Sequence, residues 1–451
     1  MKRFLFARIE AWILCLFALV GLLGLIAFGG LVLLRERGSS FAGGVGAAAH
    51  GLAELPLVLK RLREPDSRIY RWSKRFNEIP SGWSFGEVGR PGALDGYVLL
   101  SRIDGNRQRA VVELVDLSDM AVVHTWLPDV EELLAVVKEL PENAEKLNWA
   151  QPYFRFVHPF IHSDGGLTIK NHDSPLIRTD ACSRPLWAFS KSVFSHSTEV
   201  DANGDYWLVA HPDLKPDSRW AEPFSNDSLA RVSADGHLVE LIDLAEVFES
   251  LGHFGRLFPV NQYIDDPLHL NDIQPVLKDG PHWKKGDLFL SLREPSIIML
   301  YRPSSDEILW MKDGPWLKQH DVDILDDHRI SVFSNNTRNY GSGTRVEDAV
   351  DVMIYDFSNG EVTMPWRESF RRLDIETTFE GLAQLLPDGN LMVEETHSGR
   401  LLIMDKDGAV LGQFLNRADD GQVYVMAWSR YIEPTVGDAL VKVLQKVDCN
   451  G

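Results

Sequence analysis

From Asp95 to Ile432 one short pattern keeps returning: an Asp/Gly/Asn turn, then at once a run of Val, Ile, Leu, Tyr or Trp. Asp95-Gly96 precedes YVLLSRI, Asp164-Gly165-Gly166 precedes LTI, and Asp235-Gly236 precedes HLVELIDL. Asp388-Gly389-Asn390 precedes LMVEE and Asp407-Gly408 precedes AVLGQFL. Such turns supply the positive φ that tight hairpins require. No regular helical pattern separates these runs, so the class is all-β; the exception is Pro128 to Leu147, which reads as a helical insertion. Aligned, five segments share one plan: VHPFIHSDGGLTI, SHSTEVDANGDYWLV, LHLNDIQPV with GDLFLSL, QHDVDILDDHRISVF, and EGLAQLLPDGNLMVE. With an earlier unit near Asp95 they make six units across 95–432. At about 56 residues each, that suits four-stranded blades with insertions. The expected fold is a six-bladed β-propeller preceded by one N-terminal transmembrane helix.

His158, His196, His269 and His320 fall at the same place in four repeats, and Gly381 takes it in the last. Three repeats add an acid three residues later: Glu199, Asp272 and Asp323. In a propeller the innermost strands line the central channel, so residues opening those strands converge on the axis although far apart in sequence. The competing account is that each histidine bonds its own blade through the nearby acid, most simply for His158 and His196.

Ala11 to Leu34 carries no charge, and as a helix would run about 36 Å, enough to span a bilayer. Ala47-Ala48-Ala49 resembles a signal-peptidase site, but the apolar core is long for a signal and Arg35-Glu36-Arg37 intervenes. The expectation is an uncleaved single-pass anchor (1–37), a neck (38–94), the propeller (95–432) outside the cytoplasm, and a helical tail (433–451). Formal charge is −19; five basic and two acidic residues in the first 37 make +3 there and leave −22 for the rest. That balance excludes a nucleic-acid binder. Three cysteines exclude a disulfide scaffold, a zinc ribbon and a multi-haem carrier. Cys182 and Cys449 both fall in the extracytoplasmic body, where a disulfide between them would persist, but their proximity is not readable. No Walker-type phosphate loop is present, and no cofactor or metal is expected.

DPLHLNDIQPV, then GDLFLSLREPSIIMLYRPSSDEILWMKDG, then QHDVDILDDHRISVFSNNTR resembles the bacterial arylsulfotransferase family. Matching residues are Asp266, Pro267, His269 and Asn271; Gly286, Asp287, Ser291 and Arg293; Ile308 and Trp310; and Gln319, His320 and Asp321. Asn335-Asn336 with Arg338 fits the following strand end, and LLPDGNLMVEE fits the last blade. The resemblance implies a propeller that moves a sulfuryl group from an aryl sulfate to a phenol without a nucleotide. Channel histidines and an arginine would do the chemistry, and one histidine would be transiently sulfated. By this resemblance the site is His269, His320 and Arg338, with His196 a further member and His320 the first choice as nucleophile or base. Arg338 would bind the equatorial oxygens of a loose, phosphoryl-like transition state.

The family's last blade is expected to open on its covalent histidine. Here Thr377-Thr378-Phe379-Glu380-Gly381 has none, and His397 falls beyond the strand. Three alternatives stay open: His320 or His269 is the nucleophile, transfer is direct, or the site only binds. In the last case the chain is a non-catalytic propeller meeting a partner protein in the envelope. Gly82-Trp83-Ser84-Phe85-Gly86 matches a nucleophile elbow but is flanked by Pro80 and Pro91, and Asp201 to Asp205 reads as a hairpin turn, not a calcium loop.

Overall fold

The computed structural model describes residues 10–36, 43–49, 51–53, 69–71, 75–141, 149–213, 218–220, 224–259, 263–341 and 343–449. The chain divides into two units, Met1–Ser67 and Arg68–Gly451. In the first, Ala11–Glu36 is one helix of 26 residues. Its apolar part, Ala11–Arg35, has a mean hydropathy of 2.7 and is long enough to cross a membrane. Residues 43–49 and 51–53, in the expected neck, are also helical, and 54–68 lie outside the described residues.

The second unit is mostly antiparallel sheet in a propeller-like arrangement, with four sheets standing as separate blades. Leu270–Pro275, Leu288–Leu292, Ile297–Arg302 and Glu307–Asp313 form one meander; His320–Ile324, Arg329–Ser334, Asp351–Asp356 and Val362–Thr363 form the next. Leu382–Leu385, Leu391–Glu395, Arg400–Met404 and Val410–Leu415 form a third, whose outer edge is completed by Gly82–Phe85. The residues expected in the neck therefore supply a strand, and the elbow-like motif is an edge strand with no catalytic turn. In the fourth, Arg430–Ile432 pairs with Tyr97–Asp104, followed by Arg109–Asp116 and Ala121–Trp126. Early and late segments of this unit thus share two sheets. A bridge from Arg102 to Met426 and the pair Tyr70–Arg71 with Val423–Tyr424 add to the closure.

The region between departs from six separate sheets. Seven strands from Phe160–Ile161 to Leu238–Asp243 form one sheet, because the 16-residue strand Pro185–Val200 pairs on both sides. Its first half pairs with Ser174–Thr179 and its second with Tyr206–His211; Phe194 faces both Ser174 and Ala210. The expected insertion at Pro128–Leu147 is helical only over Val130–Ala135, N-capped by the Asp129 carboxylate; 142–148 lie outside the described residues. Short helices at Leu244–Ser250 and Arg367–Arg372 had no counterpart in the sequence pattern.

Apolar faces of neighbouring sheets pack in continuous clusters. One joins Trp207, Leu229 and Phe248 to Ile273, Leu290 and Met299; another joins Phe289 and Trp316 to Val332 and Met353. The C-terminal helix, Pro434–Leu444, buries Leu440 and Leu444. Gly437 permits this, since a Cβ there would lie 1.9 Å from the Tyr97 ring. The helix ends near a disulfide between Cys182 and Cys449, with Cα atoms 5.3 Å apart.

Candidate active site

Adjacent sheets are tied at the axis by side chains on their innermost strands. Ser197 Oγ accepts from the Ile273 N–H (3.1 Å), Asp272 Oδ2 from Val322 N–H (2.7 Å), and Asp321 Oδ2 from Ala383 N–H (2.8 Å). Counted from these ties, His196, Asn271, His320 and Gly381 are equivalent. Strand register agrees, setting Thr198 against Leu208, Ile273 against Leu290, Val322 against Val332 and Ala383 against Val393. His269 is therefore two residues earlier than its expected place. The repeated acids do not hold their own histidines. Asp272 ties the next sheet, and burial together with Glu199 pushes its carboxyl up to about 8. Burial and Glu199 likewise push Asp323 up to about 7.

Three expected site residues do meet. The His196 ring centroid is 5.2 Å from His269 and 6.3 Å from His320. His172, which no repeat signal marked, lies 4.7 Å from His196. With Arg293, Phe379 and Glu380 they line a cavity of about 310 Å³. A second cavity, about 210 Å³, shares His172, His196 and His269 and extends to Ser195, His211, Asp227 and Asp266.

His320 is buried and both its nitrogens are engaged. Nδ1 donates to Asn335 Oδ1 (2.7 Å), and Nε2 accepts from the Glu380 N–H (3.2 Å). Asn335 is oriented for this because its Nδ2 donates to the carbonyls of Glu380 and Thr377. Burial, with the Arg293 charge, pushes His320 down to about 3. In the neutral form this favours, the Nε2 lone pair is already taken up by the Glu380 N–H, an arrangement that speaks against the expected role of nucleophile. His269 differs: Nδ1 donates to Asp266 Oδ2 (2.5 Å), and Nε2 has no hydrogen-bond partner among the described residues. Burial would raise Asp266, but its bond to His269, and the charges of His269, His211 and Arg293, bring it below the usual carboxylate range. An ionised carboxylate behind Nδ1 leaves the Nε2 lone pair directed away from it, the arrangement an activated imidazole needs.

Arg338 is not at this cavity. It sits on Thr337–Asn339, a two-stranded ribbon with Thr344–Val346, opposite Arg345, and its side chain is exposed. The ribbon leaves the sheet just after Asn335, so the guanidinium is carried outward. The cavity's arginine is Arg293, which packs on Phe379 and pairs through one amino group with Glu294 (3.3 Å). Arg293 stood in the motif that carries the resemblance, so the signal was present without an assignment. Glu380 had none beyond adjacency to Gly381. Burial would raise Glu380, but the two-pronged Arg155 pair (2.7 and 3.0 Å), with His397 and His172, holds it well below the usual range. His158 stands apart: its Nδ1 accepts from the Thr198 N–H (3.2 Å), and burial keeps it neutral despite Glu199 3.5 Å away.

Buried Lys170 donates to the His196 carbonyl and holds that stretch of Pro185–Val200. Among the described residues one group has metal-ligand spacing, Asp326, Asp327 and His328. It is a hairpin turn whose Asp326 carboxylate already accepts from the His328 and Arg329 N–H groups.

Among solved structures, the chain is similar to a protein of unknown function from Bacteroides caccae at 11% identity and TM-score 0.45, over 75% of this chain and 99% of that one. It is also similar to a virginiamycin B lyase from Staphylococcus aureus at 10% identity and TM-score 0.37, over 77% and 99%. At such scores neither bears on what this chain does. No curated protein matches the chain. A family model does, that of arylsulfotransferase (ASST), over residues 158–417, which is more than half of the sequence and includes His196, His269, Arg293, His320 and Glu380. The chain belongs to the arylsulfotransferase family.

Proposed function

We propose that this protein transfers a sulfuryl group from an aryl sulfate to a phenol without a nucleotide, with His269 as the nucleophile. The observation that carries this is the Asp266–His269 pair, whose open Nε2 stands in a cavity with Arg293, His196 and His320. His269 Nε2 attacks sulfur, the N–S bond forms as the S–O bond breaks, and the aryl oxygen departs with the bonding electron pair. A second phenol then takes the group from nitrogen. Asp266 balances the charge that builds on the imidazole, and Arg293 offers its fork to the equatorial oxygens. His320 and Asn335 hold the Glu380 backbone and shape the wall. In this reading His269 does the work of the histidine absent at Gly381.

The seven-stranded sheet counts as two blades sharing Pro185–Val200, which makes six in all. Ala11–Glu36 anchors the chain in a membrane with the propeller outside the cytoplasm; the disulfide fits an oxidising compartment. The second reading, a binding propeller with an envelope partner, is favoured by one observation: Glu380 and Gly381 stand where the family is expected to carry its covalent histidine. The two separate on incubating purified protein with 4-nitrophenyl sulfate, with and without a phenol. Acceptor-dependent nitrophenol release that His269→Ala lowers by about 10²-fold or more supports transfer. No release with any phenol overturns it.

A further inference from the structure

From His196 runs an unbroken chain of polar groups that the transfer chemistry above does not use. Asp227 Oδ1 lies 3.3 Å from His211 Nδ1, His211 Nε2 lies 2.9 Å from Ser195 Oγ, and Ser195 Oγ lies 3.0 Å from His196 Nδ1. Asp227 is itself fixed, its other oxygen accepting from the Leu270 N–H (2.9 Å). These groups line the second cavity, which shares His196 and His269 with the first. We propose that Asp227, His211 and Ser195 form a proton relay that serves His196, which protonates the departing aryl oxygen; this rests on the transfer reading above.

Directions follow from charge. Burial alone would lower His211, but the hydrogen bond and charge of Asp227, with Asp173 and Asp266 beyond, lift it to about 9. His211 is then an imidazolium that donates from Nε2 to Ser195. The Ser195 hydroxyl in turn donates to His196 Nδ1. Burial and the neighbouring His172, His269 and His320 keep His196 neutral, so its one proton sits on Nε2. That nitrogen has no hydrogen-bond partner among the described residues, and the His196 ring lines the cavity with His269.

The step balances. As His269 takes the sulfuryl group and the S–O bond breaks, His196 Nε2–H gives its proton to the aryl oxygen. His196 Nδ1 receives the Ser195 proton, Ser195 receives the Nε2 proton of His211, and His211 becomes neutral with Nδ1–H on Asp227. The acceptor phenol reverses every transfer when it loses its proton to His196 Nε2. Ser195 and His211 touch no reacting atom; they are positioning residues acting through His196.

A relay matters more as the leaving oxygen becomes more basic. The test compares kcat/KM of the full-length protein and of Ser195→Ala for phenyl sulfate and for 4-nitrophenyl sulfate, whose phenol is more acidic. Ser195→Ala is expected to lose about 10²-fold on phenyl sulfate and at least ten times less on 4-nitrophenyl sulfate. His211→Gln should show the same donor dependence, and Ser195→Thr, which keeps the hydroxyl, should recover it. Equal losses on both donors in an active, folded protein overturn the relay and leave the transfer reading standing. A wild type that transfers to no phenol overturns both.

Discussion

His320→Ala separates structural from chemical use of a channel histidine. The imidazole accepts from the Glu380 N–H at 3.2 Å and donates to Asn335 Oδ1 at 2.7 Å, and the residue is 2% exposed. Alanine leaves both partners buried and unsatisfied, each costing about 1–3 kcal/mol. The expected loss is therefore about 2–6 kcal/mol before any cavity cost. For a unit the size of Arg68–Gly451, at about 2.1 cal/mol/K per residue, the unfolding entropy is roughly 0.8 kcal/mol/K. The melting midpoint should fall by about 3–7 °C. His269→Ala should behave oppositely: its one bonded partner, Asp266, is 38% exposed at the side chain and regains water, so the midpoint moves little while transfer is lost. The assay pairs thermal unfolding with acceptor-dependent nitrophenol release for both variants. A His320→Ala protein that melts with the wild type yet has lost transfer would refute the assignment of His320 to structure.

Gly381 has φ +98, and a Cβ there would lie 2.7 Å from the Phe333 ring and 2.8 Å from Thr377 Cγ2. Gly381→His should thus cost roughly 2–5 kcal/mol, read as a lower urea midpoint, and should not raise transfer; an unchanged midpoint would be contrary. Asp272, raised to about 8, binds a proton in the folded chain that the unfolded chain, near 3.8, has released, so its contribution is full below about pH 3.8 and lost as pH rises toward 8. Asp272→Asn can still accept from the Val322 N–H, so its melting midpoint should gain on wild type between pH 5 and pH 8; a gain that shrinks over that range would contradict this.

What was legible in the chain was local. The Asp-Gly turns announce themselves because few residues tolerate their backbone: Gly96 and Gly389 have φ of +86 and +85, and the Asp388 carboxylate accepts from the Asn390 N–H inside its turn. Alternation and turn spacing carry the all-β class, and the uncharged run from Ala11 is a helix by length and composition alone. Convergence of His196 and His320 was also readable, since a repeat that opens inner strands points its residues at one axis; His269 joins them from two residues earlier. Other features depend on pairings between distant residues. The sharing of Pro185–Val200 by two strand groups depends on partners from both sides, which no local pattern records. The offset of His269 by two residues shows only in strand register and in the ties between sheets. Most of all, the chemistry of a histidine is set by what meets its two nitrogens. His269 and His320 both sit in family-like motifs, with that of His320 the closer match, yet Asp266 leaves one with an open nitrogen and Asn335 with Glu380 closes the other. Asp266 lies three residues from His269 in one motif, but Asn335 and Glu380 lie 15 and 60 residues from His320, because a hydrogen bond selects by distance in space while a motif records only distance along the chain.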